Sequence, residues 1–237
     1  MYWLSDTLFT MNKKNIVLLC LSIALLNLIL IPSAHSIMAL YYALWILGIG
    51  TLIWIKRDTL EVFLQKSKLP PFVTFISLGI LMILIEEAMA SFFVNFTPAM
   101  TLESYGTFLL KFWATNLFTL PGFIIAWYFL LTKFVYSRKE VLVLVGCFGL
   151  FAEKIFVHVV TIPLMGVLLI LPTMYTYAVI IAPSLLSFPK EKLGQKKLGA
   201  FARYTLGFLV PILFSIPFIF SVMTLMAKFP EHFYFPQ

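Results

Sequence analysis

Charge is what this sequence has least of. Only 11% of its 237 residues are Asp, Glu, Lys or Arg, against ~25% in soluble domains. So thin a supply excludes an ordinary soluble globular protein. Cysteine is nearly absent too: Cys20 and Cys147 stand alone in different apolar stretches, so neither a disulfide framework nor a cysteine metal pair is indicated. Several catalytic signatures are missing. The lack of GxSxG, HExxH and a phosphate loop argues against a serine hydrolase, a zincin and a nucleotide-driven pump. The last apolar run, Thr205 to Ala227, holds no lysine for a retinal Schiff base. No polar stretch is long enough to build a separate soluble core.

What the chain has instead is apolar bulk, 62% hydrophobic residues with 25 phenylalanines. A helix of ~20 mainly apolar residues crosses the ~30 Å hydrocarbon layer. Seven segments meet that requirement, near residues 15–31, 37–55, 72–96, 106–134, 141–162, 164–188 and 205–227. The expected fold is therefore all-α, a polytopic integral membrane helical bundle forming one domain over residues 1–237, and the expected location is the cell (plasma) membrane. Lys13 and Lys14, an apolar run and "PSAHS" (Pro32 to Ser36) also resemble a secretory signal with a small-residue cleavage site, although the run is long for such a signal. Its removal would leave six spans.

Basic residues orient the bundle, because loops rich in Lys and Arg stay on the cytoplasmic side. Of the 17 basic residues, all but Lys111, Lys154 and Lys228 fall before the first span or after the second, fourth and sixth. With seven spans those places share one side. The amino terminus is thus expected in the cytoplasm and the carboxyl terminus outside. The net charge of +7 needs no nucleic acid, since basic loops facing anionic lipid account for it. Lys190, Lys192, Lys196, Lys197 and Arg203 are expected to contact acidic lipid heads or a partner, and Lys56 to Pro71 to form an interfacial helix. A homo-oligomer or a membrane-complex partner is left open.

Against this background "LMILIEEAMASFF" (Leu81 to Phe93) places Glu86 and Glu87 side by side inside a span. An ionised group there costs ~2.5–3.5 kcal/mol on insertion scales, so such acids face protein or water. Adjacent helical residues point about 100° apart, which predicts an enclosed, central third helix. Glu87, Ser91 and Asn95 follow one another at helical spacing in a polar stripe. The fifth span carries "GLFAEKIFVHVV" (Gly149 to Val160), with Glu153, Lys154 and His158; a continuous helix stacks Lys154, His158 and Thr161. Counting from the cytoplasmic ends, Glu86 and Glu87 lie ~21 and ~22 Å deep, Glu153 ~18 Å and His158 ~25 Å. Asn116 falls near mid-depth. These groups occupy one slab, with Glu86, Glu87, Glu153 and His158 as candidate catalytic residues and Ser91, Asn95, Asn116 and Lys154 as polar support. "GILMILIEE" and "GCFGLFAEK" also echo one another, each with a glutamate seven residues after a glycine, Glu86 and Glu153.

"EEAMAS" resembles the EExxxR element of the CAAX-type intramembrane endopeptidases, with Ser91 in place of the arginine and no matching later histidine-asparagine pair. "LIEEAMASFF" is similar to the acidic motif of membrane lycopene cyclases, with Leu84 where that motif has proline and Glu153-Lys154 where it has a second diacid. Each resemblance is confined to this short stretch.

The slab admits three functional readings. The favoured one is a membrane-embedded enzyme acting on a hydrophobic, lipid-like or membrane-peptide substrate by general acid/base or metal-assisted chemistry, a divalent ion falling to Glu87, Glu153 and His158. The second is a proton- or cation-coupled transporter or channel using the same acids as its ion site, with Pro172, Pro183, Pro211 and Pro217 loosening the last two spans. The third is a non-catalytic subunit or assembly factor of a membrane complex. The bland alternative is that Lys154 neutralises Glu86 or Glu87 and the cluster merely sets helix packing; three acids against one lysine exceed what that needs.

Overall fold

A computed structural model describes residues 13–30, 38–95 and 100–233. These residues are predominantly helical, with no β-strand among them. Eleven α-helices follow in order: α1 Lys13–Leu30, α2 Met38–Tyr42, α3 Thr51–Ile55, α4 Arg57–Gln65, α5 Pro71–Asn95, α6 Leu102–Thr119, α7 Pro121–Lys133, α8 Arg138–Ala152, α9 Ile155–Thr161, α10 Pro163–Ser187 and α11 Ala200–Lys228. Between α2 and α3 the backbone winds as a π-helix over Ala43–Gly50. The "PSAHS" segment lies outside the described residues.

Among the described residues four stretches are long and apolar enough to cross a membrane: Pro71–Phe93, Leu102–Lys133, Pro163–Ser187 and Ala200–Lys228. The pair α8 and α9 makes a fifth if its 58° bend lies within one span. The protein is thus an integral membrane protein by the length and composition of its helices. The other two expected spans correspond to α1, of 18 residues, and to a shorter apolar helix over Leu40–Ile55.

Proline and cap chemistry explain most boundaries. Pro71, Pro121 and Pro163 open α5, α7 and α10, where the missing N–H costs nothing. Thr101 and Ser137 form capping boxes with Ser104 and Glu140. The expected fourth span is interrupted at Leu120, before Pro121. The expected fifth is broken outright, because Lys154 adopts a left-handed conformation (φ 53°) between α8 and α9. That break removes the continuous stripe of Lys154, His158 and Thr161. The prolines inside α10 and α11 leave both helices unbroken.

The most enclosed helix is α10, with 56% of its apolar window buried against 33% for α5; the third span is not the centre of the bundle. Helices α8, α5, α9, α1 and α4 all pack on α10. Ser184 Oγ donates to the Phe75 carbonyl at 2.7 Å, tying α10 to α5, and Phe75, Tyr128 and Phe188 close the aromatic core beside that bond.

At one end of the bundle the segments that follow the second, fourth and sixth expected spans meet. Glu61 on α4 takes both nitrogens of the Arg138 fork, at 3.0 and 3.1 Å, and Lys190 at 3.3 Å. Arg203 pairs with Glu140 at 2.7 Å, and Lys196 lies 6.0 Å from the centre of the Phe134 ring. Lys190 and Arg203 thus pair with carboxylates of the protein itself, while Lys190 and Lys196 remain exposed. The side chains of Lys192 and Lys197 are exposed.

Candidate functional site

Glu86, Glu87 and Glu153 reach one cavity. Its volume is about 370 Å³, and its wall includes Glu86 and Glu87 from α5, Glu153 from the end of α8, Asn116 from α6, and Thr173, Thr176 and Tyr177 from α10. Tyr41 and Tyr42 of α2 and Phe112 of α6 complete it on the aromatic side. Among the described residues no basic side chain lines it.

Each carboxylate has its own neutral hydrogen-bond donor. The Tyr41 hydroxyl donates to Glu86, Asn116 Nδ2 to Glu87 Oε1 at 2.5 Å, and the Tyr177 hydroxyl to Glu153 Oε1 at 2.8 Å. Glu86 is 8% exposed, whereas Glu153 is exposed and sits at the cavity's edge. The three carboxyl groups share the wall of one cavity.

The scaffold behind these bonds is specific. Trp113 Nε1 donates to the Leu84 carbonyl at 2.9 Å and Tyr105 to the Ala88 carbonyl at 2.8 Å, so α6 is fastened to α5 on either side of the glutamate pair. Thr119 Oγ1 lies 3.2 Å from Asn116 Oδ1, which turns the amide nitrogen toward Glu87. Gly149 lets the Tyr177 ring lie directly on α8, one turn before Glu153, since a Cβ there would sit 2.5 Å from the ring. Trp45, in the π-helical stretch, reaches the Thr176 carbonyl at 3.4 Å. The extra residue per turn of a π-helix shifts the register of what precedes it, and here the preceding residues are Tyr41 and Tyr42.

The remaining expected site residues divide. Asn116 joins the cavity as a partner of Glu87. Ser91 is buried one turn further along α5, where its hydroxyl donates to the Ala88 carbonyl, and it does not line the cavity. The side chain of Asn95 lies outside the described ones. Lys154 and His158 are exposed and do not line the cavity either. No ion pair among the described residues joins Lys154 to Glu86, Glu87 or Glu153. Among the described residues no three His, Cys, Asp or Glu side chains form a metal-binding group, so Glu87, Glu153 and His158 are not gathered around a metal. The cause is the turn at Lys154, which redirects α9 away from the axis of α8.

Sequence reading missed the hydroxyls. Thr173, Thr176 and Tyr177 follow the i, i+3, i+4 spacing of a single helix face, a legible polar stripe, whereas nothing local marked Tyr41 and Tyr42. No family model, curated protein or solved structure matches this chain.

Proposed function

We propose that this chain is a proton- or cation-coupled carrier of the plasma membrane, with seven spans, a cytoplasmic amino terminus and an outer carboxyl terminus. The observation that carries the reading is a cavity with three carboxylates on its wall and, among the described residues, no basic side chain. Such charge in a low-dielectric site must be balanced by protons or by a bound cation. The break between α8 and α9 at Glu153 and Lys154 adds support, because interrupted membrane helices are a recurrent way of building ion sites. The convergence of Glu61, Arg138 and Lys190 agrees with the positive-inside orientation, and exposed Lys192 and Lys197 suit anionic lipid heads.

The test is electrical. Purified protein in liposomes on a solid-supported membrane should give transient currents on jumps of proton or cation concentration, and Glu87→Gln should abolish them while the protein is still made and folded. Absence of current from the unaltered protein for protons and every cation tried would sink the carrier.

The enzyme reading keeps one specific observation, the phenol of Tyr41 donating to Glu86 within the cavity, an arrangement that general acid/base chemistry can use. It calls for turnover of a membrane-dissolved substrate without net charge movement.

A further inference from the structure

Resting on the carrier reading, the chemistry of the cavity narrows what it carries. An inorganic cation is held by several oxygens closing on one point, and no such convergence of acidic, histidine or cysteine side chains exists among the described residues. The acids instead spread around a space of about 370 Å³, roughly twelve times the ~30 Å³ share of a water molecule and within the ~300–1,000 Å³ of small-molecule sites. That is room for a molecule.

Two hydroxyls point to a ligand independently of the acids. Thr173 and Thr176, 2% and 5% exposed, line the cavity. A helical threonine ordinarily donates to the carbonyl one turn back, as Thr115 and Thr119 do on α6. Thr173 and Thr176 do not; they face Tyr42 and Tyr41 without meeting any partner at hydrogen-bond geometry. Buried polar atoms left in that state are matched by what fills the cavity. An ammonium group, with three donors and no acceptor, suits hydroxyl and carboxylate oxygens together.

The distribution of charge adds a second requirement. Glu86 and Glu87 leave adjacent positions of α5, while Glu153 stands at the end of α8 beside Tyr177. The same wall carries Phe112, Ile180 and the tyrosine rings, surfaces that accept an alkyl chain and, at the rings, attract cations through their faces. We propose that the cavity binds a small aliphatic diamine, one ammonium at Glu86 and Glu87, the other at Glu153, with the methylene chain against Phe112 and Ile180.

Calorimetric titration of the full chain in lipid nanodiscs, at constant ionic strength, compares 1,4-diaminobutane and 1,5-diaminopentane with n-butylamine and sodium. The diamines should bind at least about tenfold more tightly than butylamine, the ratio that one further charge-assisted contact gives. Glu153→Gln should bring the diamines down to the butylamine level. Thr173→Val with Thr176→Val should weaken both amines. Equal binding of diamine and monoamine by the unaltered protein, or none of either, overturns the proposal, and this comparison needs no variant to fold. Ion-driven currents that persist without amine binding would leave the carrier standing and remove the diamine. Diamine binding without any current would keep the site and remove the carrier.

Discussion

A methyl group at Gly149 tests how the cavity is built. The Cβ of alanine there would lie 2.5 Å from Tyr177 Cδ2 and 2.6 Å from Cγ, whereas ordinary contact begins at 3.4 Å, so the ring must withdraw by about 0.9 Å. Added to the 2.8 Å hydrogen bond between Tyr177 and Glu153, a shift of that size reaches ~3.7 Å, which is no longer a hydrogen bond. Overpacking a well-filled contact costs ~1–3 kcal/mol and losing the bond ~0.5–1.5 kcal/mol. Alanine returns ~0.8–1 kcal/mol through helix propensity. The net expectation is destabilisation by ~2 kcal/mol, a fall in melting temperature of ~4–8 °C at this chain length. The assay is thermal melting of purified protein, with Gly106→Ala as control, since its Cβ meets nothing within 4 Å and should cause no loss. A double-mutant cycle with Tyr177→Phe supplies the mechanism: once the ring has been displaced, removing its hydroxyl should cost much less than it does alone. If Gly149→Ala melts like the unaltered protein, or the two substitutions simply add, Gly149 does not position Tyr177 and the proposed role of α8 in aiming Glu153 fails.

Three other substitutions probe separate parts of the structure. Glu61→Gln removes the carboxylate that Arg138 (7% exposed) faces and should cost ~2–3 kcal/mol, below the ~3–5 of a fully buried pair because Lys190 is 43% exposed; Glu61→Leu combined with Arg138→Met should recover most of it in a denaturation series. Burial raises the Glu61 carboxyl, but the hydrogen bond and charge of Arg138, with Lys190, outweigh burial and hold it below its ordinary 4.5. Its contribution is therefore complete above about pH 4.5 and is lost as the pH falls through the depressed folded value, so an acid melting series should flatten below that pH in Glu61→Gln relative to the unaltered chain. Lys154→Gly should be tolerated or stabilising by ~1 kcal/mol, since glycine adopts the left-handed conformation without strain; a loss of several kcal/mol would instead restore Lys154 as the counter-charge of the glutamates. Asn116→Leu removes the donor to Glu87 and should abolish currents like Glu87→Gln while the chain still folds, an outcome read by comparing flux with melting temperature.

Much of the site was legible because polar groups in apolar helices are costly and therefore conspicuous. Glu86, Glu87, Glu153 and Asn116 stood out on that ground, and all four line one cavity. The expectation for His158 rested on a continuous fifth helix, and a single left-handed residue, Lys154, cancels that arithmetic. Nothing in the local sequence requires a lysine to take such a conformation; the packing of α9 against α10, with Gly166 so near the Val159 backbone that a Cβ would lie 2.2 Å from its nitrogen, accompanies it. Tyr41 and Tyr42 were invisible because their role depends on the π-helical winding that follows them, a feature without a compositional signature.

The sequence alone determined the solvent this protein lives in, the helical class that follows from satisfying every backbone group inside lipid, and the acids that cannot face hydrocarbon. Those consequences come from transfer free energies, which are properties of residues summed over a segment. Only the tertiary structure decided which helix is central, that Lys190 and Arg203 bind carboxylates of the protein itself, and that tyrosine, asparagine and threonine share a cavity with the three glutamates. Those outcomes depend on distances between segments far apart in the chain, set by where glycine lets helices touch and where the backbone breaks.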